Sequence, residues 1–240
     1  MFRRHNINQT LQRSLLLILV ALFSLFLTLS PALGQESQVL LASKDNTLIE
    51  SSAGDLSNGM GALFFVGRTK QQTASARRSL IAFNVADVVP SGSTITEVQL
   101  ILSMERSPGG KEPVKLHQVL SDWGEGDSSF FGGRGAPAAQ GDSTWIYAFY
   151  DQDLWLEPGG DFAAEASAVE LVEDVGSYVW DSESHPQMVK DVQQWLDSPE
   201  SNFGWLLLGN EADSGTVKAF ASRQNDDVSK QPQLKIRFQS

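Results

Sequence analysis

The sequence contains no cysteine, which excludes disulfides, thiolate nucleophiles, zinc–thiolate sites and a lipoprotein anchor. Histidine is nearly as scarce: there are three, and only His117 and His185 lie beyond residue 34. Neither belongs to a GxSxG, HExxH or phosphate-loop pattern, and no such pattern occurs elsewhere in the chain. His117 is expected to face outward on a strand beside Lys115, and His185 to be a turn residue before Pro186. Basic residues are also few, 18 Lys and Arg against 29 Asp and Glu, for a net charge of −11. Nucleic acid and anionic lipid both need a basic footprint, so this balance disfavours them as partners.

One long apolar run is present, LLLILVALFSLFLTL at 15–29. Arg3, Arg4 and Arg13 precede it, and Pro31 then leads into Ala32 and Gly34, a small-x-small exit. That layout predicts a signal peptide over 1–34 and a secreted protein, extracellular or periplasmic. An uncleaved signal anchor is the alternative reading. Removal of 1–34 takes away three Arg and no acid, leaving 15 basic and 29 acidic residues and a net charge of −14. The remaining 206 residues suffice for one sizeable core, and no linker or repeat divides them, so 35–240 is expected to be a single domain with no membrane contact.

Most of that domain reads as short strands. In TEVQLILSM (96–104), Val98, Leu100, Leu102 and Met104 alternate with Glu97, Gln99 and Ser103, which puts one face in a core and one in water. LKIRF near the C-terminus repeats the pattern. Further candidates are 39–50, 61–67, 77–85, 113–120, 145–150, 177–180, 204–209 and 216–222, separated by Gly- and Pro-containing turns such as SPGGKEP and EPGGD. One helix is expected near 186–198, where Met188, Val189, Val192, Trp195 and Leu196 form a single apolar stripe. The expected class is therefore all-β, an antiparallel β-sandwich or jelly roll with one short amphipathic helix plugging its edge.

The segments SKDNTLIE, SNGMGALFFVGR, RRSLIAFNV, VPSGSTITEVQLILS, VKLHQVLSDWGEG, WLDSPESNFGWLLLGNE, FASRQND and PQLKIRF, in that order, resemble the DNRLRE (disaggregatase-related) domain family, which overlaps an alginate-type carbohydrate-binding module family. The resemblance runs over roughly residues 40–239. It implies a secreted jelly-roll-like sandwich associated with extracellular polysaccharide. One departure is Asn84, in Ala82-Phe83-Asn84-Val85, where the family's usual strand carries aspartate; the amide keeps one oxygen but loses the charge.

Two stretches could carry chemistry. RTKQQTASARR (68–78) places Arg68, Lys70, Arg77 and Arg78 together with no acid among them. Arginine forks suit carboxylate and sulfate groups, so these residues are candidates for binding an acidic polysaccharide; a solvated loop is the alternative. SDWGEGDSSFFGGRGAPAAQGDSTW (121–145) holds six glycines and a proline, which deny it regular structure. Its rings Trp123, Phe130 and Phe131 are candidates for stacking on sugars, although for Trp123 burial is the favoured reading. Asp122, Glu125 and Asp127, with Asp45 from elsewhere in the chain, are candidate Ca2+ ligands. Calcium takes about six to eight oxygens, so carbonyls or water would have to complete the set. An acidic surface loop is the alternative.

Together these features favour a secreted, non-catalytic carbohydrate-binding module recognising extracellular polysaccharide, acidic polymers included. A structural cell-envelope or matrix protein stays open, as does a polysaccharide lyase or hydrolase. No residue is marked as catalytic: Tyr147, Tyr150 and Tyr178 have no arginine or histidine beside them in sequence to suggest a lyase site.

Overall fold

The alternating stretch Thr94–Arg106 forms the longest strand, a 13-residue spine whose inward residues are buried and whose outward residues are half-exposed. In chain order the first strands are β1 (Gln35–Leu41), β2 (Lys44–Ile49), β3 (Leu56–Ser57), β4 (Leu63–Arg68), β5 (Ala76–Ala82) and the spine, β6. Then come β7 (Glu112–Gln118), β8 (Ala136–Pro137), β9 (Tyr147–Phe149), β10 (Asp153–Leu154), β11 (Ala168–Val172) and β12 (Gly176–Asp181). The helix α1 (Gln187–Asp197) precedes β13 (Trp205–Leu208), β14 (Lys218–Ala221) and β15 (Gln233–Gln239). This is a computed structural model describing residues 34–240; the expected signal segment, apart from Gly34, lies outside the described residues. Gln35–Ser240 make one compact unit.

Eleven of the described strands build one curled, antiparallel sheet in the order β1-β15-β6-β14-β4-β5-β13-β7-β11, with β12 also on β6 and β2 also on β5; β3 with β8 and β9 with β10 form two small separate pairs. Its curl brings Val98, Leu100 and Leu102 of β6 into one core with Val114 and Leu116 of β7 and with Trp205 and Leu207 of β13. Trp180 on β12 fixes the approach by donating Nε1–H to the Val114 carbonyl at 2.9 Å. Burial of each such apolar side chain stabilises the fold by roughly 1.5–3 kcal/mol before ordering costs. As expected, α1 sets Met188, Val192, Trp195 and Leu196 into this core, with Trp195 edge-on to Trp205 at 4.5 Å.

The other face of β2, β5 and β13 is covered too. Leu48, Leu80 and Leu206 pack there against Val119, Trp123, Ala148 and Trp155 from the long β7–β11 connection. That cover corrects the expectation for His117, which pairs with Leu206 in register. Its side chain lies beneath Phe162, edge-on at 5.2 Å, with 5% of its surface exposed. Nδ1 bonds the Ala163 carbonyl at 2.8 Å, and burial holds its pKa below the ordinary histidine value, with Ala163 pulling the other way.

Three differences from the expected strands have local causes. The run 39–50 breaks at Ala42-Ser43, because Ala42 N donates to Pro232 beside β15 and Ser43 N donates to Ala82 on β5. Two residues thus carry the chain from one part of the sheet to another. The candidate at 145–150 shrinks to β9, which pairs only with β10. Strand β11 had no alternation to announce it, since Val169 and Leu171 face outward, at 38% and 50% exposure.

A tight turn in the β6–β7 connection needs Gly109 and Gly110, both at positive φ (89° and 80°). Their carbonyls accept from the ammonium of the buried Lys218 on β14, as do Ser107 Oγ and the Glu173 carbonyl.

Candidate functional site

The base of the 121–145 loop docks on β2. Lys44 Nζ lies 2.8 Å from Asp122 Oδ1, 2.7 Å from the Trp123 carbonyl and 4.3 Å above the Trp123 ring. Asp45 N donates to Glu125 Oε1 at 2.9 Å, and Asn46 Nδ2 donates to the Glu125 carbonyl at 2.9 Å. Arg223 grips both Glu125 oxygens, through Nε and Nη2, each at 2.6 Å. Its backbone N donates to Asp45 Oδ2 at 2.7 Å. Gly126, at φ 69°, leaves no room for a Cβ against the Asp142 carboxylate. That carboxylate accepts from Ser128 N, Ser128 Oγ and Ala139 N.

The carboxyl of Asp45 is 1% exposed, and burial pushes its pKa up to about 8, against the pull of the Arg223 N–H. Asp45 is thus enclosed, and its neighbour Glu125 faces Arg223. Three of the four candidate calcium ligands are likewise engaged: Asp122 meets Lys44, Glu125 meets Arg223 and Asp45 meets the Arg223 backbone, while Asp127 stands exposed. Among the described residues no group of three or more His, Cys, Asp or Glu is placed to hold a metal ion. Lys44 and Arg223 occupy the carboxylates of Asp122 and Glu125.

The basic segment divides in the same way. Arg78 forms a fork on Glu211 at 2.8 and 2.9 Å and stacks on Trp145 at 4.7 Å, which makes it a packing element. Arg68 bonds Ser75 Oγ and the Glu211 and Ala212 carbonyls. Arg77, 1% exposed, has no carboxylate partner. Its guanidinium donates to the carbonyls of Ala74, Ala76 and Gly133 and, at 3.2 Å, to Gln71 Oε1. Burial lowers its pKa to about 10, with Glu50 opposing. Lys70 is exposed.

Two concavities adjoin these residues. The larger, about 580 Å³, is lined by Gln71, Gln72, Thr73, Ala74, Arg77 and Arg134 over Ile49, Leu56 and Glu50. Its only carboxylate, Glu50, is tied by Oε2 to Ser75 N and Ala76 N at 2.6 and 2.8 Å. The amides of Gln71 and Gln72 and the exposed Arg134 supply donors facing few acceptors. The smaller, about 210 Å³, is lined by Ala62, Leu63, Glu105, Arg106, Phe131 and Asn225. Phe131 is 83% exposed, with the Arg106 guanidinium 4.6 Å from its ring centre. Phe130 is partly exposed and donates its N–H to Asn58 Oδ1 at 2.7 Å. Trp123 is buried, its indole N–H on the Phe203 carbonyl at 2.8 Å.

Comparison with protein-family models and with curated proteins returns no match for this chain. Of the residues singled out in the sequence, Arg77 reaches the larger concavity and Phe131 the smaller. Arg134, Gln71, Gln72, Arg106 and Asn225 were not singled out. Arg134 stands alone between glycines, and Arg106 on β6 and Asn225 beyond β14 are remote in sequence, so no local pattern joins them.

Proposed function

We propose that this chain is an exported, non-catalytic module that binds extracellular polysaccharide, acidic polymers foremost, in the larger concavity. One observation carries the reading: hydrogen-bond donors from Arg134, Gln71 and Gln72 face a hollow whose single carboxylate, Glu50, is held by backbone amides. Guanidinium and amide groups over an apolar floor suit the carboxylates, sulfates and hydroxyls of such a polymer. The curl of the sheet around one core supports a sandwich or jelly-roll architecture, and the ordered segments at 40–239 support kinship with the DNRLRE domain. The apolar run at 15–29 supports export behind a cleaved leader.

The acidic balance of the whole chain would repel an anionic polymer at long range. At 0.1 M salt, charges more than ~10 Å apart are largely screened, so the local donors govern contact. Affinity electrophoresis of the full chain in gels containing uronate, sulfated or neutral polysaccharides tests this. Retention by an acidic polymer is expected, weakening as salt rises and on Arg134→Ala. Migration unaltered by every glycan would end the proposal.

A further inference from the structure

The tip of the long loop stands between two hollows. Arg134 lines the larger and Phe131 the smaller, and between them Gly133 gives its carbonyl to Arg77 Nε. Gly133 also lies against the Phe65 ring, where an added Cβ would sit 3.1 Å from the ring. A short Gly132–Gly135 turn closes the segment. Arg77 is thus a positioning residue, a buried cation that fixes where the tip presents its two side chains.

Single exposed rings are common on protein surfaces; what sets Phe131 apart is the polar company it keeps at the rim of the smaller hollow. One face of Phe131 is approached by Arg106, which orients the ring and leaves its opposite face open. Around it stand a carboxylate, Glu105, and an amide, Asn225. Lys230 holds Glu105 at 3.0 Å, so that carboxylate is locally balanced. Asn225 accepts from Asp227 N and donates to the Ala62 carbonyl at 3.3 Å, which leaves capacity for a further partner. An aromatic plate ringed by an amide and a neutralised carboxylate fits the C–H face and hydroxyls of a pyranose ring, with the Arg106 guanidinium behind the plate.

We infer that Phe131, Arg106, Glu105 and Asn225 form a second saccharide contact, taking the uncharged face of a pyranose ring beside the donor-lined hollow, so that one polymer engages both sides of the Arg77-pinned tip. This rests on the polysaccharide-binding reading above and adds a second point of attachment to it. Two weak contacts on one ligand multiply their effects, because the second engages at high local concentration.

Calorimetric titration of the full chain with uronate oligomers of increasing length, and with neutral gluco-, manno- and galacto-oligosaccharides, tests it. For the longer oligomers, Phe131→Ala should lower affinity tenfold or more while leaving the salt dependence unchanged. Phe131→Trp should retain or tighten binding. Arg134→Ala should instead flatten the salt dependence. Thermal melts of each variant show that the fold is intact. If wild type binds and Phe131→Ala binds equally well at every length, the second contact is overturned and the larger hollow stands alone. If wild type binds no member of either series, the polysaccharide reading itself falls, and this inference with it.

Discussion

Trp123 and Phe131 belong to one loop and have opposite fates, at 1% and 83% exposure. At the base, Trp123 meets Phe203 and Lys44, Asp122 meets Lys44, and Glu125 meets Arg223, while Asp127 stands exposed. At the tip, Phe131 and Arg134 face open hollows. A loop of this length, whose regular structure is limited to the two-residue β8 paired with β3, would ordinarily carry a large ordering cost. Here the base holds the chain in place, so the tip can expose side chains without becoming loose. Length alone says nothing about function; the contrast between matched and unmatched groups does.

The largest break in that contrast should come from Trp123→Ala, which empties the second core beneath the loop. A loss of about 3–5 kcal/mol is expected from the denaturant midpoint, as for other buried rings. Phe131→Ala should change stability by no more than ~0.5 kcal/mol, as exposed positions generally do. Similar losses for the two variants would erase the distinction between base and tip.

Next in size is the effect of Asp45. Its native pKa of about 8 lies above the ordinary 3.8, so between those values the folded protein binds a proton that the unfolded chain has released. Stability therefore falls as pH rises from about 4 to about 8, by at most ~1.4 kcal/mol per pH unit from this group. Asp45→Asn removes the titration while its side-chain oxygen can still accept from Arg223 N. The variant should be more stable than wild type at pH 8 and show a flatter slope. Melting temperatures at pH 5 and pH 8 decide it, and parallel pH profiles would contradict a protonated Asp45.

The smallest effect is expected from chelation. With Lys44 and Arg223 already on the carboxylates of the loop base, EDTA should leave the melting temperature unchanged. A fall on chelation, reversed by Ca2+, would mean that a native-state ion site exists after all.

Much of the sheet could be read in advance. Alternation marked β6 and β15, the apolar stripe marked α1, and Gly-Pro chemistry marked the turns. What escaped depended on tertiary cover. His117 looked solvent-facing because its strand alternates, yet the β7–β11 connection lies over that face. Strand β11 lacked polar alternation because its outer residues are Val169 and Leu171. The basic segment was visible as charge, but Glu211, which engages Arg78, comes from a distant turn. The lining of both hollows joins residues remote in sequence, such as Arg106, Phe131 and Asn225, and spacing along a chain carries no trace of such encounters.

Lys218 illustrates what a buried charge can demand of its surroundings. One tetrahedral ammonium gathers oxygens from the β6–β7 turn and from the residue after β11, so the β6–β7 and β11–β12 connections share a single fastening. A flat guanidinium could not aim its protons at the same atoms, which makes arginine a poor substitute here despite its equal charge. The same enclosure should shield this amine from acylating reagents that mark the surface lysines, so its labelling would report when those two connections part.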